Sequence, residues 1–239
     1  MTKEEMAGFL DGRVVLVTGA SRGIGAATAE GLAAAGAHVV LTARTAADLE
    51  SVEERIDAAG GTATIAPLDL TDRDSIARLA AAVRDRWPAL DVLVLNAAML
   101  GSLTPVPAID GKEFNRVLTL NLLAQQALIA AFDPLLRKSA AGRLIAITSS
   151  VGRNPRAYWG AYGASKAALE TLVLAYAEEV GNVAPVRVAI LDPGSTRTAM
   201  RARAYPGEDP ETLKPPSAVA DAISELLERD FETGQRLIL

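Results

Sequence analysis

Short aliphatic runs alternate with alanine-rich helical stretches along this chain, and this alternation restricts the fold more than any other feature of the sequence. The runs are rich in valine, isoleucine and leucine, which is typical of strands buried on both faces of a parallel sheet. We therefore predict an α/β fold, with helices on both faces of a doubly wound, mainly parallel, seven-stranded sheet. The predicted strands are Arg13–Thr18, Ala37–Ala43, Ala63–Pro67, Val92–Leu95, Gly142–Thr148, Val186–Leu191 and Gln235–Leu239.

The length of 239 residues, half of them hydrophobic, fits a single domain over positions 1–239. The two longest helical patterns, Gly111–Leu136 and Tyr158–Gly181, are apolar over a wide arc. Such helices need burial on two sides, so we expect a homo-oligomer in which they pack against a second subunit. The stretch Asp192–Pro216 breaks both periodicities and predicts a long irregular loop that serves as a substrate lid.

Composition excludes several classes of function. A balance of 24 basic against 29 acidic side chains offers no broad attraction to nucleic acid or to anionic lipid. The absence of cysteine excludes disulfides and thiolate sites, and the single histidine, His38, is interpreted as a surface residue and not as a metal ligand. These shortages predict no metal site. The acidic N-terminal segment and the lack of an apolar run of about 20 residues favour a cytoplasmic protein with no membrane partner.

The first predicted strand runs directly into a glycine-rich turn, Thr18–Gly25, and then into an alanine-rich helix. Glycines permit a close backbone approach, and a helix N-terminus presents unpaired amides, so this turn predicts a binding site for a dinucleotide pyrophosphate in a Rossmann-type fold. Glycines that only shape a tight turn are the alternative. The candidate binding residues of the turn are Gly19, Ser21, Arg22, Gly23, Ile24 and Gly25.

The end of the second predicted strand indicates which dinucleotide is bound. A carboxylate at this position selects NAD, whereas an arginine can hold the 2′-phosphate of NADP. Here the strand ends with Ala43 and Arg44, and Arg22 in the glycine turn supplies a second cation. We therefore predict a preference for NADP(H), with NAD(H) as the second cofactor; the alternative is that both arginines only face water.

A phenol and an ammonium, Tyr162 and Lys166, lie four residues apart at the start of a predicted helix and so share one face. A nearby cation stabilises a phenolate and lowers its pKa from about 10, which makes Tyr162 a candidate general acid or base. Ser149 follows the preceding strand, where its hydroxyl can hydrogen-bond an oxygen on which charge changes.

The glycine turn, Asn96, Asn121, Ser149 and the segment Tyr162–Lys166 occur in an order and spacing in which the sequence resembles the short-chain dehydrogenase/reductase family, in its compact single-domain form. The resemblance extends from about Gly12 to Leu239. It implies a catalytic tetrad in which the tyrosine moves the proton and the serine orients the substrate oxygen. The lysine would bond the nicotinamide ribose and depress the tyrosine pKa, and the asparagine would hold a water. The implied tetrad is Asn121, Ser149, Tyr162 and Lys166.

The resemblance also extends the cofactor site beyond the glycine turn. It implies that Asp69 and Leu70 border the adenine ring, and that Asn96 and Ala97 form the wall beside the adenosine ribose. After the sixth strand, the resemblance implies that Pro193 and Gly194 turn the chain toward the nicotinamide. Thr196 would offer its backbone amide to the carboxamide, and Thr198 its hydroxyl near the phosphates. Tyr162 and Lys166 complete the implied cofactor site.

Two positions depart from the family pattern. Ala98 stands where the family often has glycine, which places a methyl group close to the cofactor, and we expect it to be tolerated. Many tetrameric members continue past the last strand into a glycine-containing tail, whereas this chain ends at Leu239. We therefore expect a dimer and leave a tetramer open.

Together these features predict an oxidoreductase that reduces a ketone or aldehyde with NADPH. The alternatives are oxidation of a secondary alcohol by the same groups, a non-catalytic dinucleotide sensor, and a nucleotide-sugar epimerase or dehydratase, for which the chain leaves little room. The substrate itself is not predicted. Four arginines of the predicted pocket rim could attract an acidic substrate or only face water: Arg153, Arg156, Arg201 and Arg203. Three aromatic residues could shape an apolar pocket, pack in the core or form a subunit contact: Tyr158, Trp159 and Tyr205.

Overall fold

The computed structural model describes residues 8–229 and 231–239. The N-terminal residues 1–7, which entered the argument for a cytoplasmic protein, lie outside that description. The strands are β1 Val14–Thr18, β2 His38–Ala43, β3 Thr62–Pro67, β4 Val92–Leu95, β5 Gly142–Ile147, β6 Val186–Asp192 and β7 Gln235–Ile238. The helices are α1 Gly23–Ala34, α2 Ala46–Ala58, α3 Arg73–Arg86, α4 Gly111–Leu118, α5 Ala124–Leu136, α6 Gly160–Val180, α7 Ala199–Ala204 and α8 Pro216–Glu228.

The seven strands form one parallel sheet in the order β3-β2-β1-β4-β5-β6-β7. This confirms the predicted doubly wound sheet, and every pairing is parallel. The strand order reverses at β1, which pairs with β2 on one side and with β4 on the other. In such sheets a ligand crevice opens at the carboxyl ends of the strands on either side of the reversal.

Helices cover both faces of the sheet, as predicted. On one face α1, α2 and α8 pack through side chains such as Leu32, Val52 and Ile223, all fully buried. On the other face α3, α5 and α6 contribute a separate core that includes Phe132 and Val173. Two apolar layers therefore hold the sheet rigid, and the carboxyl ends of its strands carry the polar residues described below.

The long helix predicted over Gly111–Leu136 is present, but a π-helical turn at Thr119–Leu123 separates α4 from α5. The wider turn fits an extra residue into the helix without breaking its path, and such insertions often occur at functional sites. Asn121 lies in this turn and is completely buried.

The segment predicted as an irregular loop, Asp192–Pro216, is partly ordered into regular structure, so that prediction was wrong in this respect. Its first residue ends β6, and it contains α7 and a 3₁₀ turn at Pro210–Thr212. Helix α7 forms because the Thr198 hydroxyl accepts a hydrogen bond from the Arg201 amide and caps the first turn. Its service as a lid stays a prediction.

His38 is more than a plain surface residue. It opens β2 and is half-buried, and its ring nitrogens lie 3.0 and 2.9 Å from the hydroxyls of Thr62 and Thr64 on β3. Burial, and secondarily the charge of Arg86, lower the pKa of its imidazole. In the part of the chain that the structure describes, no helix is both long enough and apolar enough to cross a membrane.

Candidate active site

Two glycines of the turn after β1 are packed so closely that neither has room for a side chain. A Cβ on Gly25 would lie 2.2 Å from the Gly19 carbonyl oxygen, far inside van der Waals contact. Gly19 has a φ of +65°, and a Cβ there would lie 3.0 Å from the Ala97 Cα. Both positions therefore require glycine. The tight turn that they form, which we call the cradle, lies at the carboxyl end of β1, where folds of this type hold a dinucleotide pyrophosphate.

Asn96 and Thr18 brace this turn across the point where the strand order reverses. The Asn96 Nδ2 donates to the carbonyl oxygens of Thr18, at 2.8 Å, and Gly19, at 3.2 Å. The Thr18 hydroxyl accepts from the amides of Asn96 and Ala97, at 2.9 and 3.1 Å, and donates to the Val94 carbonyl. Thr18 was not singled out from the sequence, although it is the one hydroxyl residue in the run Val14–Thr18.

The N-terminus of α1 faces the same cradle. Arg22 is its N-cap residue, has an extended backbone and places no side-chain hydrogen bond on the first turn. The first amides of the helix therefore keep their capacity to bind an anion, and the positive end of the helix dipole favours one. The other predicted turn residues, Ser21 and Ile24, are half-buried beside it.

Arg22 and Arg44 lie where a 2′-phosphate would need cations. Arg44 directly follows β2, the neighbour of β1, and both arginine side chains are exposed. Within residues 8–229 and 231–239, neither guanidinium is paired with a carboxylate, so both charges are available to a ligand. The end of β2 therefore presents a cation and no carboxylate.

The predicted adenine contacts follow β3. Asp69 is exposed, and its Oδ1 accepts from both the amide and the hydroxyl of Thr71, at 2.9 and 2.8 Å. The Leu70 side chain is buried in the core beneath α3, and its contact with a base stays a prediction. These bonds hold the turn between β3 and α3 in one shape at the edge of the crevice.

The segment after β6 closes the other side of the crevice. Thr198 lies against the glycine turn, since a Cβ on Gly23 would come 3.5 Å from the Thr198 Cγ2. Thr196 is buried and donates its hydroxyl hydrogen to the Pro193 carbonyl, while Gly194, with a φ of +60°, packs against the Leu239 carbonyl. The structure thus brings the segment Pro193–Thr198 beside the cradle.

The four predicted tetrad residues come from three neighbouring elements. Tyr162 and Lys166 lie on α6, Ser149 follows β5 and precedes a 3₁₀ turn at Ser150–Gly152, and Asn121 lies in the π turn. Tyr162 and Lys166 are 7% and 2% exposed, and the Lys166 Nζ lies 5.8 Å from the centroid of the Tyr162 ring. Ser149 is half-buried.

Asn121 joins the loop after β4 to α6. Its Oδ1 accepts from the Met99 amide at 2.8 Å, and its Nδ2 donates to the Met99 carbonyl at 2.9 Å and to the Ser165 Oγ at 3.0 Å. Both amide hydrogens are used, so a water held by this residue would have to bind one of its carbonyl oxygens. Gln125, one helical turn later, donates its Nε2 hydrogen to the Ala97 carbonyl at 3.1 Å. This residue was not predicted from the sequence as part of the site.

The electrostatics of Tyr162 differ from the sequence-based expectation. Burial, and next the charge of Asp192, raise the pKa of its phenol, so the prediction of a lowered pKa was wrong. The cost of burying a phenolate outweighs the attraction of the ammonium, whose Nζ donates instead to the Ile147 carbonyl at 2.8 Å. Tyr162 therefore keeps its proton at neutral pH.

Lys166 is shifted in the opposite sense. Burial lowers the pKa of its ammonium to about 8, while Glu170 and Asp192 oppose that shift. The ammonium therefore stays largely charged at neutral pH and loses its proton in a range where the ordinary lysine, with a pKa near 10.5, would not.

Three of the four rim arginines are engaged within the protein. Arg153 pairs with Asp192 at 3.1 Å, Arg201 grips both oxygens of Glu208, and Arg203 donates to the Gly101 carbonyl at 2.7 Å. Arg156 remains exposed, with its Nη1 3.3 Å from the Tyr205 hydroxyl. The rim therefore offers an acidic substrate much less positive charge than the sequence suggested.

Aromatic side chains form a wall beside the phenol. The Trp159 ring meets Tyr162 edge-on at 5.9 Å and lies 5.8 Å from the ring of Tyr205 on the segment after α7. Tyr158 is 58% exposed and has a φ of +73°, a left-handed conformation that costs a bulky residue free energy. Of the three predicted aromatic residues, Trp159 and Tyr205 thus lie at the site, and Tyr158 faces outward.

Three features together are typical of a dinucleotide-dependent oxidoreductase: a doubly wound parallel sheet, a glycine-rich turn at its reversal point, and a buried tyrosine–lysine pair near the end of β5. The chain belongs to the short-chain dehydrogenase family, because the family model described as "short chain dehydrogenase" matches residues 13–209. It is therefore an NAD(P)-dependent oxidoreductase of the kind that acts on CH–OH and C=O groups.

Similar proteins agree with this assignment over nearly the whole chain. "Uncharacterized oxidoreductase YciK" of Escherichia coli (strain K12) is 39% identical over 214 residues, 88% of this chain and 84% of that protein. A short chain dehydrogenase from Pseudomonas syringae superposes with a TM-score of 0.93 at 41% identity, covering 96% of this chain and 95% of the other. One from Shigella flexneri, complexed with NADP, superposes with a TM-score of 0.92 at 38% identity, covering 96% and 97%.

Proposed function

We propose that this protein reduces a ketone or aldehyde with NADPH and that Tyr162 donates the proton to the carbonyl oxygen. The observation that carries the proposal is the state of the phenol: it is buried next to the cradle and its pKa is raised, so it retains the proton that a reduction consumes. A buried phenolate with a lowered pKa would have suited alcohol oxidation better.

The residues of the chain divide the work around the carbonyl group. NADPH, when bound, supplies the hydride that goes to the carbonyl carbon. Ser149 donates a hydrogen bond to the carbonyl oxygen, and Tyr162 transfers its proton to that oxygen as negative charge develops there, which yields the alcohol. Lys166 places a positive charge beside the resulting phenolate until the phenol is reprotonated from solvent.

The choice of NADPH rests on the end of β2. Arg44 and Arg22 are exposed cations that no carboxylate of the described chain neutralises, and Ala43 offers nothing to bond a ribose 2′-hydroxyl. The Shigella flexneri relative is a complex with NADP, which agrees with this choice. NAD(H) is the weaker second cofactor in the proposal.

The test is a screen for carbonyl-dependent loss of NADPH absorbance over ketones, aldehydes, quinones and oxoacyl thioesters, followed by one substitution. Tyr162→Phe should lower kcat by at least about 10²-fold, because proton transfer is lost, while the Kd for NADPH changes by less than about twofold. Tyr176→Phe is the matched control: Tyr176 lies on the same helix, and its hydroxyl bonds Asp133 at 2.8 Å. This control should lose some stability and keep its turnover.

Equal turnover in Tyr162→Phe and wild type would refute the assigned proton donor. Turnover with NADP⁺ and secondary alcohols, but none with NADPH and carbonyl compounds, would reverse the proposed direction. We further propose a cytoplasmic homodimer acting on a small molecule and formed through the long helices α5 and α6, with a tetramer left open; sedimentation of the purified protein tests the assembly.

A further inference from the structure

Two buried carboxylates and two partly exposed arginine side chains form a charged cluster next to Lys166. The carboxylates are Glu170, one turn after Lys166 on α6, and Asp192, the last residue of β6; both side chains are 5% exposed. The guanidiniums are Arg153, which follows the 3₁₀ turn after Ser149, and Arg236 on β7. Four separate segments therefore meet in one charge network behind the catalytic residues.

Arg153 is the centre of this network. Its Nη2 donates to the Asp192 Oδ2 at 3.1 Å, and its Nε lies 3.6 Å from the Glu170 Oε1. That oxygen is buried and has no hydrogen-bond partner in the described chain, whereas the other oxygen of Glu170 pairs with Arg236. The second oxygen of Asp192 accepts from the Gly194 amide at 3.1 Å. Arg153 thus reaches both buried carboxylates at once.

These contacts tie together the segments that carry the proposed chemistry. The backbone of Arg153 belongs to the turn that Ser149 begins, since its amide donates to the Ser150 carbonyl at 3.1 Å. Glu170 belongs to the helix of Tyr162 and Lys166, and Asp192 begins the segment Pro193–Thr198 beside the cradle. A guanidinium that holds both carboxylates fixes these three segments relative to one another.

We propose that Arg153 is a positioning residue: its guanidinium holds the Ser149 turn against α6 and the end of β6, and its charge balances the two buried carboxylates beside Lys166. This inference rests on the proposed roles of Ser149, Tyr162 and Lys166 in carbonyl reduction.

The charged groups around Lys166 support an electrostatic role. Glu170 and Asp192 both raise the pKa of Lys166 against the effect of burial, and Asp192 also raises that of Tyr162. The other elements packed against α6 add little charge near Lys166. The π turn and the 3₁₀ turn Ser150–Gly152 have no ionisable side chain, and β6 carries, besides Asp192, only Arg187, which donates to the Phe231 carbonyl near the start of the strand. Helix α4 brings a half-buried glutamate, bonded to Ser102, and two exposed cations. The groups of α4 are Lys112, Glu113 and Arg116.

Removing an arginine and removing a carboxylate from the network should shift the pKa of Lys166 in opposite directions. Arg153→Met leaves Asp192 without its arginine partner and Glu170 with Arg236 alone, so the negative field at Lys166 grows and Lys166 should keep its proton to higher pH. Glu170→Gln removes one of the two charges that sustain the ammonium, so Lys166 should lose its proton at lower pH. The alkaline limb of the pH profile of kcat should therefore move up in Arg153→Met and down in Glu170→Gln, each by about half a pH unit or more.

The pH dependence of NADPH binding, measured without turnover, should change in the same way. If the Lys166 ammonium contributes to NADPH affinity, the pH at which the Kd for NADPH begins to rise should move in the same directions, as measured by fluorescence titration. This readout separates the two proposals, since it works even if no carbonyl substrate is found. Glu179→Gln is the control, because Glu179 is an exposed glutamate on the same helix and its loss should move neither limb.

Arg153→Lys tests the positioning role and serves if Arg153→Met does not fold. A lysine keeps the positive charge but cannot contact Asp192 and Glu170 at the same time, as the guanidinium does. The alkaline limb of the kcat profile should therefore stay within about 0.2 pH units of wild type, while kcat falls several-fold. Wild-type kcat in Arg153→Lys would refute the positioning role. The electrostatic role would be refuted if the alkaline limb of the kcat profile did not move in Glu170→Gln, or if it moved in the same direction in Glu170→Gln and Arg153→Met. The network would then only stabilise the fold.

Discussion

Two glycines on α1 give opposite expectations when each is replaced by alanine. A Cβ on Gly31 would find the Ala220 Cβ at 3.6 Å and the Ser224 Oγ at 3.8 Å, which are ordinary contacts. A Cβ on Gly25 would lie 2.2 Å from the Gly19 carbonyl oxygen and 2.5 Å from the Asn96 Nδ2. The first site has room for a methyl group, and the second has none unless the backbone moves by about 1 Å.

The magnitudes follow from these contacts. Glycine inside a helix costs about 1 kcal/mol relative to alanine, so Gly31→Ala should stabilise by about that amount and raise the Tm by about 2–4 °C in a chain of this size. Gly25→Ala gains the same helix term but adds an overpacking cost of about 1–3 kcal/mol, so it should be neutral or destabilising by up to about 2 kcal/mol. Its larger effect should fall on the cofactor, with the Kd for NADPH raised at least about tenfold, because the cradle must shift.

Thermal unfolding of the two variants and of wild type, with and without NADPH, measures both effects. Gly31→Ala should keep the wild-type Kd, since its new methyl group faces α8 and not the cradle. If Gly25→Ala instead raised the Tm as Gly31→Ala does and bound NADPH with the wild-type Kd, the close packing of the turn, and the cradle inferred from it, would be refuted.

Two further substitutions test the ends of the proposed ligand site. Arg44→Ala should raise the Kd for NADPH about tenfold or more and that for NADH less than about twofold, because only NADPH loses a charged contact; equal losses in parallel titrations would show that Arg44 does not touch the 2′-phosphate. Trp159→Ala removes the aromatic wall beside Tyr162 and should raise the KM of apolar ketones several-fold. Trp87→Ala, which alters a tryptophan stacked on His38, should leave that KM unchanged; an unchanged KM in Trp159→Ala would place the substrate elsewhere.

The strands and the glycine turn could be predicted closely because their signals are local. A strand buried on both faces must be aliphatic throughout, so its ends are marked where polar residues begin, and each observed strand lies within two residues of its predicted bounds. The spacing of Tyr162 and Lys166 likewise fixes their common helix face. The π turn at Thr119–Leu123 has no such signal, because its apolar residues continue the helical pattern on either side.

The interactions that the sequence did not predict join residues far apart along the chain. Arg153 and Asp192 are separated by 39 positions, and Arg236 and Glu170 by 66, so no local pattern announces either pair. The four rim arginines were interpreted as one group of free cations, but two of them pair with carboxylates, and the other two donate to a carbonyl and a phenol that only the folded chain supplies. Charge on a loop indicates what a residue can bind, and the fold decides whether that capacity is already used.

The direction of the tyrosine shift shows why spacing alone does not fix catalytic electrostatics. A lysine four residues after a tyrosine lowers the tyrosine pKa only if the attraction of its ammonium exceeds the cost of burying the phenolate. Here the Lys166 Nζ donates to the Ile147 carbonyl, and Tyr162 is buried. The charge of the site then depends on Glu170 and Asp192, and through Arg236 on β7, the last strand of the sheet. An edge strand outside the crevice is therefore part of the electrostatic environment in which the proton is moved.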